Sequence, residues 1–466
     1  MNVLRNITLF VNDFFLYYII VYGSILFISA VVGAIIFYLE KRKKTYKNEI
    51  ERDYYVPISI IVPAYNEEVT IIDTIESLLN LDYKIYEIIV VDDGSSDKTS
   101  KKVIKHYNLQ QVDKVVRNRL NTKKVLAYYE LLGSKVSITL VKKANGGKAD
   151  ALNAGINAAH NPYFLTIDAD SMLQVDALKE IAKKVLENTN IVACGGMIKI
   201  SNGNTFKDGE IVNYELPHTF LEMIQTLEYD RTFLASRTVF DTFNGNIIIS
   251  GAFGLFKKDT VIACGGYKDN TVGEDMELVI RLHDYCITNK IPYQIKYAPE
   301  AICWTQVPNK LSDFKKQRKR WHTGLLQSLS RHRNMFLNPK YGLVGFFSFI
   351  YYWVYELVAP ITETVGLVFI FISYFLEMIN FRFLVIYFLI YVLFCTIFTI
   401  TSFFTRTYTQ NYKITLADGL KVIFYSLIEN FGFRQLVNYY RLSAFIGYRK
   451  NKLQWNKISR QKVNEE

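Results

Sequence analysis

Phe14 to Tyr38 carries no charged side chain over about 25 residues. At roughly 1.5 Å of rise per residue, a helix of that length crosses a hydrocarbon core of about 30 Å. The stretch is too long for the apolar part of a signal peptide, and no convincing cleavage site accompanies it. Lys41, Arg42, Lys43, Lys44 and Lys47 follow directly. Basic residues favour the cytoplasmic side of a span, which puts the N-terminus outside and the following chain in the cytoplasm.

Further apolar stretches lie near the other end. Tyr341 to Leu376 is too long for one span, and Glu356, Pro360 and Glu363 interrupt it. Two helices joined near Pro360 are expected. Phe383 to Thr405 is another uncharged span. Ile414 to Phe433 contains Asp418, Lys421 and Glu429, so it reads as a span lining a polar path or as an interfacial helix. Counted as a span, it brings the total to about five. The expected organisation is therefore a transmembrane helix with its basic flank in 1–45 and a cytoplasmic catalytic domain in 54–337. Transmembrane or interfacial helices occupy 341–450, and a cytoplasmic tail 451–466. The multi-pass chain would sit in the plasma membrane. The net charge of +11 gathers beside membrane ends, where it meets anionic lipid, and no nucleic-acid partner is expected. The five scattered cysteines form no C-x-x-C pair and suit a reducing compartment better than zinc or a disulfide frame.

Between the spans, strand and helix patterns alternate. Ile58–Val62, Tyr86–Val91 and Tyr163–Ile167 read as buried strands, Glu67–Leu79 and Met276–Asp284 as helices. This alternation predicts a mostly parallel α/β sheet with its ligand site at the carboxyl ends of the strands. Lys102 to Lys142 is charged and weakly patterned, and part of it reads as an insertion.

Acidic clusters stand at those strand ends, each with an ordinary explanation beside the functional one. Asp92 and Asp93 follow a strand and suit a nucleobase or ribose, but Asp-Gly-Ser-Ser is also good turn sequence. Asp168 and Asp170 flank one residue and suit a shared Mg²⁺ or Mn²⁺, although D-x-D is common by chance. Glu274 and Asp275 open a helix, which is good dipole chemistry; either could also take a proton from a sugar hydroxyl. Asn145-Gly146-Gly147-Lys148 offers amides and an ammonium to an anion, or simply a turn before a helix. Gln317-Arg318-Lys319-Arg320-Trp321 lies on a basic helix that could touch lipid. It could equally hold a diphosphate and stack a sugar on Trp321. Trp304 reads as core.

In this order, together with Ile61–Glu67 and Ser250–Gly254, the segments resemble the processive family 2 glycosyltransferases. That group includes cellulose, mixed-linkage β-glucan, poly-N-acetylglucosamine, chitin and hyaluronan synthases. The resemblance covers about Val56 to Gly324. It implies a GT-A fold inserted between transmembrane helices, and single displacement with inversion at the anomeric carbon. A UDP-sugar, with glucose and N-acetylglucosamine equally open, would extend a β-linked polysaccharide at its non-reducing end and pass it through the membrane. By matching position, Ala64, Glu67 and Asp93 would hold the uracil end, and Lys148 would lie near the nucleotide. Asp168 and Asp170 would bind diphosphate and Mg²⁺ or Mn²⁺. Asp275 would be the general base, with Glu274 beside it at the acceptor. Gln317 and Arg320 would hold diphosphate, and Trp321 would stack on the acceptor sugar. Some relatives use a small membrane accessory subunit, and a homo-oligomer is equally compatible. Gly273 departs from the Thr usual in cellulose synthases. The alternatives are a single-transfer enzyme acting on a lipid-linked acceptor and, more remotely, an inactive transferase-like scaffold or transporter.

Overall fold

A computed structural model describes residues 2–47, 55–131, 133, 136–207, 210–410 and 412–446. The tail expected at 451–466 lies outside them. Helix α1 (Asn2–Lys47) leads into β1 (Ile58–Ala64), α2 (Ile71–Leu79), β2 (Tyr86–Asp92), α3 (Thr99–Tyr107), β3 (Gln110–Val112), β4 (Val125–Glu130) and β5 (Ser137–Lys143). Then come α4 (Lys148–Ala158), β6 (Tyr163–Ile167), β7 (Ser171–Leu173), α5 (Ala177–Glu187), β8 (Ile191–Ile200), β9 (Thr205–Lys207), β10 (Glu210–Asn213), α6 (Phe220–Thr232) and α7 (Thr238–Thr242). The soluble part closes with β11 (Phe253–Lys257), α8 (Lys258–Ala263), α9 (Glu274–Thr288), β12 (Gln294–Thr305) and α10 (Leu311–Arg331).

Ten strands form one sheet in the order β3-β4-β5-β2-β1-β6-β11-β8-β12-β7, with β9 and β10 as a separate hairpin. The central run β5-β2-β1-β6 is parallel throughout. Its strands are almost continuously buried because helices cover both faces. Ile58, Ile60 and Val62 of β1 pack with α2 and α5, while Ile61 packs with α4 and α9 on the opposite face. Each such side chain, fully buried, contributes about 1.5–3 kcal/mol. The region read as partly an insertion instead supplies β3, β4 and β5; β5 pairs with β2 in parallel, so the sheet extends where no insertion is needed.

The apolar helices follow. Two π-helical stretches, Val344–Ser348 and Tyr351–Leu357, precede α11 (Ala359–Phe375), α12 (Phe381–Thr409), α13 (Leu416–Ile428) and α14 (Arg434–Leu442). Among the described residues, two helices are long and apolar enough to cross a membrane, Val3–Leu39 and Leu384–Thr409. A third arises if Val344–Leu357 and Ala359–Phe375, bent by 49°, make one broken span. The expected total of about five is therefore not reached. The junction near Pro360 is present, because proline at the first turn of α11 cannot continue the preceding hydrogen-bond ladder. Its two arms together make only one bent unit, however. The 13 residues of α13 span about 20 Å, too short for the hydrocarbon core.

Polar contacts fix the membrane-type helices to the sheet domain. Arg231 of α6 makes a bidentate pair with Glu429 at 2.6–2.7 Å. Asp230 lies 2.6 Å from Arg406 of α12, whose side chain is 1% exposed. Among the apolar helices themselves, Tyr22 of α1 stacks on Tyr355 with centroids 4.9 Å apart.

Candidate active site

Ala64, Asp92–Asp93 and Asp168–Asp170 stand at the carboxyl ends of three neighbouring parallel strands, β1, β2 and β6. The loop after β1 is laced to the loop after β2. Asn66, in the left-handed region at φ 59°, accepts hydrogen bonds from the Ser96 and Asp97 amides at 2.8 and 3.3 Å. The Glu67 amide donates to Thr99 Oγ1 at 3.0 Å, and its carboxylate accepts from Thr70 Oγ1 at 3.1 Å. Asp92 accepts from the Ser95 amide at 2.8 Å and from the Ser100 hydroxyl, so it is turn chemistry.

Asp93 is enclosed rather than presented. Its carboxylate accepts from Lys143 Nζ at 2.5 Å and from the Gly146 and Gly147 amides at 3.0 and 2.7 Å. Gly147 has φ +89°, a conformation that brings no steric cost only to glycine. Burial pushes the Asp93 carboxyl pKa up, opposed by Lys143 and the two amides. Asp93 thereby shapes the Gly-Gly loop and the start of α4, where Lys148 stands.

Lys148 brings the remaining acidic motifs together. Its Nζ lies 2.5 Å from Asp168 Oδ1, 3.8 Å from Glu274 Oε1 and 3.5 Å from the Gly251 carbonyl. Burial opposes its charge, but Asp168 and Glu274 outweigh burial and hold its pKa above the usual lysine value. Burial likewise raises the Glu274 carboxyl, with Lys148 opposing. Asp275 accepts from the Gly251 amide at 3.0 Å and from the Met276 amide at 2.8 Å, which orients its carboxylate. Ser250–Gly254, Asp168 and the Glu274–Asp275 pair thus form one cluster, though they are remote in sequence.

Helix α10 closes the site from the other side. Arg320 is half-buried, and its charge reaches Glu274. Trp321 is 40% exposed. The Arg318 guanidinium lies 4.8 Å from its ring centroid and Tyr229 6.4 Å away. Gln317 is buried, and its Oε1 has no hydrogen-bond partner among the described residues. Arg318 is 2% exposed and paired with Glu228, which anchors this basic helix into the domain. Sequence reasoning passed over Arg318, because only its partner on α6 separates it from Arg320. Trp304 is core, 1% exposed and edge-on to Phe206.

The glycine at 273 has a structural cause. A Cβ there would meet Gly324 Cα at 2.9 Å, and one at Gly324 would meet Gly273 Cα at the same distance. The two backbones touch where α9 begins, which leaves no room for the threonine found in cellulose synthases.

Asp168 and Asp170 offer two carboxylates, and no group of three or more His, Cys, Asp or Glu able to hold a metal occurs among the described residues. This donor set fits Mg²⁺ or Mn²⁺ shared with a substrate diphosphate, since such cations take one or two carboxylates plus phosphate oxygens.

A mixed sheet whose central run is parallel and ends in these acidic residues, enclosed by a basic helix, defines a GT-A glycosyltransferase. Residues 163–404, more than half of the chain, match the family described as Glycosyl transferase family group 2, and residues 59–132 match Glycosyl transferase family 2. The chain belongs to glycosyl transferase family group 2. It is 29% identical over 316 residues to a poly-β-1,6-N-acetyl-D-glucosamine synthase of Staphylococcus aureus, covering 66% of this chain and 65% of that one. The corresponding enzyme of Staphylococcus epidermidis is 28% identical over 313 residues, covering 66% and 64%. The chain thus spans just under two thirds of the length of these curated relatives. A mannosyltransferase of Pyrobaculum calidifontis, solved with GDP-mannose and Mn²⁺, shares the fold with a TM-score of 0.50 at 15% identity, over 92% of this chain and 99% of that one.

Proposed function

We propose that this chain is a membrane polysaccharide synthase. It transfers N-acetylglucosamine from UDP-N-acetylglucosamine, one residue after another, to the non-reducing end of a β-linked glycan that is passed across the membrane. Its catalytic domain lies on the cytoplasmic side. The observation that carries this reading is the convergence of Lys148, Asp168, Glu274 and Asp275, with Arg320 reaching the same cluster from α10. The staphylococcal synthases support the choice of sugar and product.

The chemistry follows from the placement. A bound Mg²⁺ or Mn²⁺, held by Asp168 and Asp170, would neutralise the leaving diphosphate. Ala64, Glu67 and the loop shaped by Asp93 receive the nucleotide end. Lys148 supplies positive charge beside Asp168, and Gln317 and Arg320 hold the diphosphate from α10. Trp321 offers a flat face to the acceptor sugar, and Glu274 lines the same side. The acceptor oxygen attacks the anomeric carbon as its bond to phosphate breaks. Asp275 takes the hydroxyl proton, UDP departs with the bonding electrons, and the configuration inverts. The Gly251 and Met276 amides hold the Asp275 carboxylate in a fixed orientation.

The test is incubation of purified protein with single UDP-sugars, reading UDP release and product length. Chains of many N-acetylglucosamine residues are expected. Products carrying one added sugar each would overturn processivity and favour the lipid-linked single-transfer enzyme.

A further inference from the structure

The loop just before the base is stitched, residue by residue, to α10. Arg331 Nη2 donates to the Asn270 carbonyl at 3.3 Å. Gln327 Oε1 accepts from Thr271 Oγ1 at 3.0 Å and from the Val272 amide at 2.9 Å. Ser328 Oγ donates to the Gly273 carbonyl at 3.4 Å. The Gly273 and Gly324 backbones are in contact between them. One turn further on, Glu277 of α9 receives Arg281 at 2.8 Å and His332, just beyond α10, at 3.3 Å.

These α10 residues share a stripe. Gln317, Arg320, Gly324, Gln327 or Ser328, and Arg331 recur at intervals of three or four, which places them on one helix face. The face that meets the loop is therefore the face that carries Gln317 and Arg320. Glu274 and Asp275 continue the loop without a break. The distance from base to diphosphate clamp is consequently fixed through this seam, and Gln327 supplies two of its hydrogen bonds from one oxygen.

We propose that Gln327 is a positioning residue: it holds the Asn270–Gly273 loop against α10 and so sets the placement of Asp275 relative to Gln317 and Arg320. The proposal rests on Asp275 being the general base. It places no demand on donor binding, because Gln327 touches neither the Gly146–Gly147 loop nor the Asp168–Asp170 pair.

Two variants separate positioning from packing. Gln327→Met keeps length and volume but offers no acceptor oxygen. Gln327→Glu keeps an acceptor at the same place, and both hydrogen bonds go to that single atom. Full-length protein in detergent is assayed with UDP-N-acetylglucosamine for UDP released and, separately, for sugar transferred. For Q327M, turnover is expected to fall on the order of 10- to 100-fold, the effect of an ångström-scale misplacement. The donor KM stays within about twofold, and the ratio of UDP released to sugar transferred rises as water replaces a misaligned acceptor. That ratio does not depend on the fraction of folded enzyme. Q327E is expected to recover most of the turnover. The proposal is overturned if Q327M keeps wild-type turnover and ratio, or if Q327E is as impaired as Q327M. A parallel Asp275→Asn variant keeps the two claims apart. Full activity in D275N removes the base assignment whatever Gln327 does, whereas inactive D275N beside an unaffected Q327M removes only the positioning role.

Discussion

Replacing Lys148 with methionine isolates the central electrostatic feature of the site. The ammonium is 14% exposed and lies 2.5 Å from Asp168 and 3.8 Å from Glu274, with Asp275 acting on it as well. Methionine fills the same space but leaves these carboxylates facing one another without a cation. Removing one partner from a buried ionic group costs about 3–5 kcal/mol. Asp168 is 32% exposed, so water recovers part of that loss and the lower end, about 3 kcal/mol, applies. The sign with pH follows from Glu274, whose carboxyl burial already raises and Lys148 lowers. Without Lys148 it rises further. A folded-state pKa raised above the unfolded value of about 4.3 leaves stability intact below that value. The stability is then lost as pH climbs through the folded-state pKa. The K148M deficit is therefore largest near pH 8 and shrinks as pH falls toward about 4. At about 2–4 °C per kcal/mol for a domain of this size, the unfolding midpoint should drop by roughly 6–12 °C at pH 8. Thermal unfolding of purified protein in detergent, followed by intrinsic fluorescence at both pH values, measures this. An unchanged midpoint, or an equal drop at both pH values, would refute the reasoning.

Other expectations concern the surroundings of the cluster. Gly324→Ala places a Cβ 2.9 Å from Gly273 Cα and forces α9 from α10. Overpacking of this kind costs about 1–3 kcal/mol, and sugar transfer should fall at least about tenfold, read as UDP release. Trp321→Ala removes the half-open aromatic face. Losing about 1.5 kcal/mol of ring contact should raise the acceptor concentration needed for half-maximal rate roughly tenfold and shorten the products, seen by chromatography. Glu277→Gln removes a carboxylate whose pKa is lowered to about 2, burial being outweighed by His332 and Arg281. A lowered folded-state pKa gives stability above the unfolded value that is lost as pH falls toward about 2. E277Q should therefore be less stable than wild type at pH 7, and the gap in urea midpoint should narrow by pH 3.

The elements that sequence patterning identified are those whose burial is continuous. Tyr163–Ile167 is β6 with the same bounds, and Tyr86–Val91 differs from β2 by one residue. Both are buried at every position because helices cover both faces of the sheet, and Glu87 and Thr166 are buried with their apolar neighbours. Strands β3 and β4, the outermost two at one end of the sheet, were hidden because they are partly exposed and carry polar residues such as Gln110, Gln111 and Glu130. The acidic motifs were visible as motifs, but their convergence on Lys148 was not. It depends on β11 lying beside β6, which carries Gly251 toward Asp275. Asp93 illustrates the limit further. Its position at a strand end is local information, whereas its enclosure by Lys143 and two glycine amides is tertiary. The span count failed for a related reason. Hydropathy registers apolar length, but the 49° bend after Leu357 and the early end of α13 are backbone events.

The most direct test of the account is the fate of UDP-N-acetylglucosamine given to the purified, lipid-embedded protein with Mg²⁺ or Mn²⁺. The α-linked donor should yield β-linked chains of many N-acetylglucosamine residues, with one UDP released per residue added, and Asp275→Asn should abolish both. Retention of the α configuration, or polymer formation by D275N at the wild-type rate, would contradict the assignment of this acidic cluster as an inverting polymerase site.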